Sequence, residues 1–301
     1  MGVSINVENG AMRLVIGELV KDHLEIDGAW VVEFATEVVM NGIIIDETAF
    51  SFALNQLVDK AKGEGFEVEN VRILITGTPA LTKVKNIPKL KKAEMQKWMA
   101  DEFVDQNEGG KEQIYDYQVI EYSKEEGCKV ILCSIEKNVI SQYVDIFHQA
   151  GISIGSIDLG LTCQAKLIRT VEALKDENFI VLHLDGTTLD GALYIDGKFF
   201  AQNRKRLLGE KGSVEMLNEI KEMISRLLQF AHGNVESGVA ESIKTIYITG
   251  FEHESENIKL LRESGYIALN LVDALDRQKV EDNYGIDFND YVYTIANLIG
   301  E

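Results

Sequence analysis

Two short turn sequences, Asn9-Gly10 and Asp185-Gly186, each interrupt an alternating apolar run, one near the start of each half of the chain. Nothing in the chain is patterned for catalysis by its residue types and spacing alone. The adjacent carboxylates Asp46/Glu47, Asp101/Glu102 and Glu125/Glu126 read as solvated surface rather than acid–base pairs. The five histidines (23, 148, 183, 232 and 253) lack metal-ligand spacing, and no Gly-x-Ser-x-Gly or Cys/His nucleophile pattern occurs. Cys128, Cys133 and Cys163 form an odd set without Cys-x-x-Cys spacing. That argues against a disulfide framework or a zinc site and fits a reducing compartment.

The chain of 301 residues is long enough for two lobes or one large domain, and its 46% apolar, 26% charged composition is that of a globular protein. Its only prolines are Pro79 and Pro88, so no proline-rich linker divides it. No window holds the roughly 18 apolar residues of a membrane span, and Met1–Leu14 lacks the features of a signal peptide. A formal charge of −19 disfavours nucleic acid and suits a basic partner, such as a juxtamembrane tail. The one basic stretch, Lys83 to Lys97, is expected to be a solvated loop.

The elements that must position the two turns follow from periodicity. Val3–Val7 and Met12–Leu19 alternate around Asn9-Gly10 as a hairpin. Trp30–Phe34 reads as the next strand, and Val38–Ile44 is expected to continue the sheet. Asp46 caps a helix carrying Phe50, Leu54, Leu57 and Ala61. A strand at Val71–Thr76, a helix from Lys91 to Val104, strands at Tyr117–Tyr122 and Lys129–Ser134 around a polar turn at Lys124–Gly127, and a helix from Glu136 to Ala150 follow. Residues 70–153 therefore read as a self-contained α+β unit. After a strand at Ile154–Leu159 and a crossover helix at Leu161–Leu174, a second hairpin begins at Phe179. A long amphipathic helix spans Ser213–Ala231, a strand Thr245–Thr249, and further helices Glu256–Glu263 and Phe288–Ile299. The two hairpins resemble one another and each opens one half of the chain. Turn chemistry alone generates such likeness, so duplication and coincidence stand level on this evidence.

The order of the pieces decides. Asn86-Ile87-Pro88 followed by a helix with Glu94, Trp98 and Glu102, then Asp116-Tyr117-Gln118-Val119-Ile120, Cys128–Ile135, Ala150-Gly151-Ile152, Ser156-Ile157-Asp158 and Ile246–Gly250, together resemble the PilM family of type IV pilus assembly proteins. That family belongs with FtsA to the actin-like group. The resemblance covers some 250 residues and rests on order and spacing, since no single motif is specific. It implies an α/β, actin-like (ribonuclease H-like) two-lobe fold with an inserted α+β subdomain. Residues 1–69, 154–175 and 286–301 are expected to form the first lobe, 70–153 the insertion, and 176–285 a shortened second lobe.

The resemblance also implies where a nucleotide would lie. An actin-like ATPase uses an Asp-x-Gly core in each hairpin, the Asp for hydrated Mg²⁺ and the Gly for phosphate approach. Here Asn6 and His183 stand at the Asp positions, Glu8 and Asp185 at the Gly positions, and Arg13 at the Lys position. Gly10, Gly186 and Thr187 complete the turns, and Gly250-Phe251 replaces an adenine-side Gly-Gly. The expectation is a degenerate site with no cofactor; an ATP- and Mg-binding, polymerising protein of the FtsA or MreB kind is the alternative. By the same resemblance the protein is a cytoplasmic scaffold, not an enzyme. It would be recruited to the inner face of the membrane by the N-terminal tail of a single-pass, PilN-like partner, with self-association possible. The sequence stops at Gly300-Glu301 after a core-like helix, so membrane attachment is expected to be borrowed. The tail is expected in a groove at Arg72, Leu74, Thr76, Ala80, Leu81, Ile154 and Ile157.

Overall fold

The computed structural model describes all residues except 22, 78–79, 88–89, 107–109, 124–126, 236–237, 252–255, 275–279 and 300–301. Pro79, Pro88, Lys89, the Glu125/Glu126 pair, His253, the chain end and all of the polar turn but Gly127 lie outside the described residues.

Strands β1 (Gly2–Val7), β2 (Ala11–Val20) and β3 (His23–Glu33) form an antiparallel meander. The short strands β4 (Val39–Met40) and β5 (Ile43–Ile44) pair only with each other. Val38–Ile44 therefore does not continue the sheet as expected: Asn41, in the left-handed region, and Gly42 fold it back on itself. Helix α1 (Glu47–Gly63) is capped by the Asp46 side chain, which accepts from the Ala49 N–H, and Lys60 and Lys62 oppose the dipole at its other end. Next come β6 (Val71–Ile75), β7 (Leu81–Ile87), α2 (Lys92–Phe103), β8 (Gln113–Ser123), β9 (Gly127–Glu136) and α3 (Lys137–Gln149). Then follow β10 (Ile154–Leu159) and α4 (Gly160–Thr170). The second half runs β11 (Phe179–Asp185), β12 (Thr188–Ile195), β13 (Lys198–Arg206), α5 (Val214–His232), α6 (Val239–Ser242), β14 (Thr245–Thr249) and α7 (Glu256–Glu263). It closes with β15 (Ile267–Asn270), α8 (Leu271–Ala274), β16 (Val280–Asp282) and α9 (Phe288–Ile299).

Two sheets share one topology. The first has the order β10-β6-β1-β2-β3-β16 and the second β13-β12-β11-β14-β15. In each, three antiparallel strands are followed by two parallel ones on the far side of the opening strand. The hairpin likeness is thus repeated by the whole wiring of each half, which turn chemistry alone would not produce. Both opening strands are buried on both faces, and each carries polar residues on one of them: Ser4 and Asn6 on β1, His183 and Asp185 on β11. Between the sheets lie α4 and α9. A mixed core of Leu74, Leu167 and Ile168 with Phe179, Val181 and Tyr194 joins the lobes there. Within it Gln164 donates to the Tyr293 hydroxyl (2.6 Å) and accepts from the Tyr194 hydroxyl (2.8 Å), so buried polar groups from both halves satisfy one another.

The expected insertion, 70–153, is too wide at both ends. β6 lies inside the first sheet between β1 and β10, and α3 buries Val139, Tyr143, Ile146 and Phe147 in the first core. What protrudes is residues 81–136: the sheet β7-β9-β8 with α2 packed on one face through Met95, Met99 and Phe103. The second-lobe range, 176–285, also needs trimming, since β16 pairs in parallel with β3 of the first sheet. The Lys83–Lys97 stretch is not a loop throughout. Lys83 and Lys85 lie on β7, where Lys85 pairs with Glu102 at 2.9 Å and Lys83 covers the Phe103 ring at 4.9 Å.

Candidate functional site

Two concave regions matter, one between the lobes and one beside the protruding subdomain. In the first, the β1–β2 and β11–β12 turns meet head on. The Asp185 carboxylate accepts from the Asn9 N–H through both oxygens, at 2.9 and 3.1 Å. The Asn9 side-chain amide donates to the Asp185 carbonyl at 3.3 Å, and the Thr76 hydroxyl stands 3.3 Å from Asp185 Oδ2. Asn41 closes the ring: its N–H donates to Asn9 Oδ1 (2.7 Å) and its own Oδ1 accepts from Thr188 (3.2 Å). Periodicity did not reveal Asn41; the signal available was the Asn-Gly dipeptide at 41–42.

Of the remaining residues of this site, Glu8 and Arg13 pair with each other, while Asn6 Oδ1 and both His183 ring nitrogens are buried with no hydrogen-bond partner among the described residues. The Asn6 side-chain amide donates to Glu8 at 2.8 Å. His183 is buried edge-on to the Tyr293 ring, with centroids 4.5 Å apart. Burial pushes the Glu8 carboxyl up to about 7 against the pull of Arg13, and pushes Asp185 up to about 6 against the Asn9 and Thr76 hydrogen bonds. Burial pushes His183 down to about 3. A cleft of about 320 Å³ remains, lined by Glu8, Gly10, Arg13, Asp185, Gly186 and Gly250 among others. Gly250 has φ +75°, and a Cβ there would overlap the Leu184 carbonyl, so its identity is fixed by the backbone. Thr187 contributes its carbonyl to the Leu207 N–H, a bond that anchors the end of β13.

These residues do not fit Mg-bound triphosphate. The Asn9 N–H is already taken by an internal carboxylate. Asn6 and His183, the residues expected on the Mg side, are not carboxylates, and among the described residues no cluster of acids, histidines or cysteines could hold a metal.

The second region is a groove of about 220 Å³ between the subdomain and the first lobe. The sheet β7-β9-β8 turns one face to α2. Its other face presents Cys133 and Ile135 of β9, with Ile114 and Asp116 paired directly opposite and Gln118 two residues on. Facing them across the groove are Ile140 of α3, Ile157 to Leu159 of β10, and Thr162 and Lys166 of α4. Both β8 and β10 end their sheets; on β8 the Tyr117 N–H is taken by the Asp116 side chain and the Val119 carbonyl by Arg169.

Of the seven expected groove residues, only Ile157 lines this groove. Leu74 is buried because β6 is an interior strand, and Thr76, just past its end, is buried with its hydroxyl donating to the Val7 carbonyl at 3.0 Å. Arg72 donates to the Asn297 carbonyl (3.3 Å) and Ile154 packs on the first core. Ala80 lines a small cavity of about 40 Å³ between the lobes, and Leu81 is exposed at the start of β7. The alternation that marks a strand does not say whether the strand has a free edge.

No family model matches the sequence, and no curated protein matches it. Solved structures do. A PilM–PilN type IV pilus biogenesis complex aligns over 99% of this chain and 97% of its own, with TM-score 0.75 and 13% identity. A Bacteroides thetaiotaomicron protein with an actin-like ATPase fold aligns over 100% and 96%, with TM-score 0.56 and 13% identity. The ethanolamine utilization protein EutJ of Carboxydothermus hydrogenoformans gives 100% and 89%, with TM-score 0.52 and 11% identity. The fold is actin-like. The two facing turns, one from each half, are bonded to each other.

Proposed function

We propose that this chain is a non-catalytic scaffold of the PilM kind, serving pilus assembly by holding the cytoplasmic tail of a single-pass inner-membrane protein. The reading is carried by the groove: β8 and β10, each the last strand of its sheet, flank a largely apolar hollow beside the subdomain. An extended tail can pair with such an edge and place alternate side chains in the groove. The shared fold with the PilM–PilN complex supports the same reading. No described helix is long and apolar enough to cross a membrane, so the tail supplies the membrane link. Asp185, bonded where a phosphate would sit, favours the scaffold over a nucleotide-driven polymer.

The deciding experiment is calorimetric titration of N-terminal tails from candidate single-pass membrane proteins. Binding tighter than about millimolar, abolished by Ile157→Trp with the melting curve unchanged, is the expected result. Failure of every tail, or binding indifferent to Ile157→Trp, refutes the scaffold.

A further inference from the structure

The groove's polar groups are lopsided. Two of its donors are spent inside the fold. The Lys166 ammonium donates to Asp158 Oδ1 at 2.7 Å, with both side chains largely covered. The Thr162 hydroxyl donates to the Leu159 carbonyl at 2.8 Å, closing the start of α4. Asp158 is spent on Lys166, but two other acceptors are open. Gln118 Oε1 is buried and has no hydrogen-bond partner. Asp116, next but one along β8 and on the same face, is exposed, and its carboxylate receives only the N–H of its own neighbour Tyr117 at 2.8 Å among the bonds identified.

A buried amide oxygen without a donor costs about 1–3 kcal/mol. The groove therefore gains most from an occupant that brings donors to Gln118 and positive charge to Asp116. The apolar walls, Ile135, Ile140 and Ile157, set the rest of its character.

We propose that the groove selects tails carrying a Lys or Arg side chain between apolar neighbours, with Gln118 and Asp116 receiving the cation. This rests on the tail-binding reading above and specifies the tail's chemistry. Asp158 is not the receiver, because Lys166 already neutralises it. The aliphatic residues on either side would lie against Ile140 and Ile157, as alternation along an extended chain requires. A free carboxylate paired to a cation in a half-covered groove sharpens selectivity and speeds encounter.

The test uses the full-length protein and a displayed library of random 12-residue peptides. The expected outcome is recovery of peptides with an aliphatic-basic-aliphatic pattern. Selection on an Asp116→Asn/Gln118→Met variant should keep the aliphatic preference and lose the basic one. A recovered peptide and its Lys→Met counterpart are then titrated. The loss should be about tenfold on the wild type and under about twofold on the variant, with melting temperatures confirming that both proteins are folded. Peptides blocked by Ile157→Trp but without basic enrichment overturn this proposal alone. Peptides indifferent to Ile157→Trp overturn the tail-binding reading and this proposal with it.

Discussion

The Asp185 carboxylate takes the backbone amide of the opposite hairpin through both of its oxygens. Asp185→Ala should cost about 2 kcal/mol, the sum of a lost inter-lobe bond and an orphaned Asn9 N–H, read as a lower denaturant midpoint. The titrating groups give a second expectation. Glu8 and Asp185 have folded values near 7 and 6, above the ordinary carboxylate range. The folded chain therefore holds protons that the unfolded chain has released. Their contribution is full below about pH 4 and is lost as pH rises through 6 to 7. His183, pushed down to about 3, works the other way: its contribution is full above about pH 6.5 and lost in acid. From pH 6.5 to 8 only the carboxylates act, so the melting temperature should fall, and Glu8→Gln should flatten the fall. A rise over that window would remove this account of Glu8. Gly250→Ala should destabilise by more than about 2 kcal/mol, because its φ of +75° and the Leu184 carbonyl leave no room for a methyl group.

At the scale of elements, much of the fold was legible. Asp46, the Asn9-Gly10 turn and the long amphipathic α5 signalled themselves through capping, turn chemistry and period. The strands β15 and β16, four and three residues long, carry too few alternations to register. β7 was hidden by its lysines, which lie along Glu102 and Phe103 rather than in open solvent. The site was half legible. The residues of the facing turns could be named from their spacing, but the groove residues could not, because edge and interior strands share one alternation. Pairing settles where the subdomain can be cut. Leu81 and Ser134 are partners across β7 and β9, so their Cα atoms lie about 5 Å apart. Replacing residues 82–133 with a short Gly-Ser linker should leave a cooperatively melting two-lobe protein that binds no tail. Deleting 70–153 should yield no folded product, since it removes β6 from the middle of a sheet and α3 from the core. A folded 70–153 deletion would contradict the topology drawn here.

For the whole molecule, the two facing hairpins make the expected response to nucleotide plain. A ligand at 100 times its Kd adds about 2.7 kcal/mol of stability. Millimolar Mg-ATP should leave the melting temperature unchanged, and a clear rise would restore the nucleotide-driven alternative. Asp185→Gly is the informative companion. It removes the internal anion, yet Asn6 and His183 still offer no carboxylate to a metal, so it too should gain no ATP-dependent shift.

The bond between Asp185 and Asn9 has one further consequence, for signalling. A soluble nucleotide reports on its surroundings, because the fraction of protein occupied rises and falls with supply and ends with each hydrolysis. A carboxylate tethered 176 positions along the same chain is always present at the same effective concentration, set by the fold alone. It cannot be depleted, exchanged or consumed. On the scaffold proposal, a molecule closed in this way would carry no clock of its own. Timing would then fall to the supply of the tail, or to protonation of Asp185 and Glu8, whose carboxyls burial pushes upward.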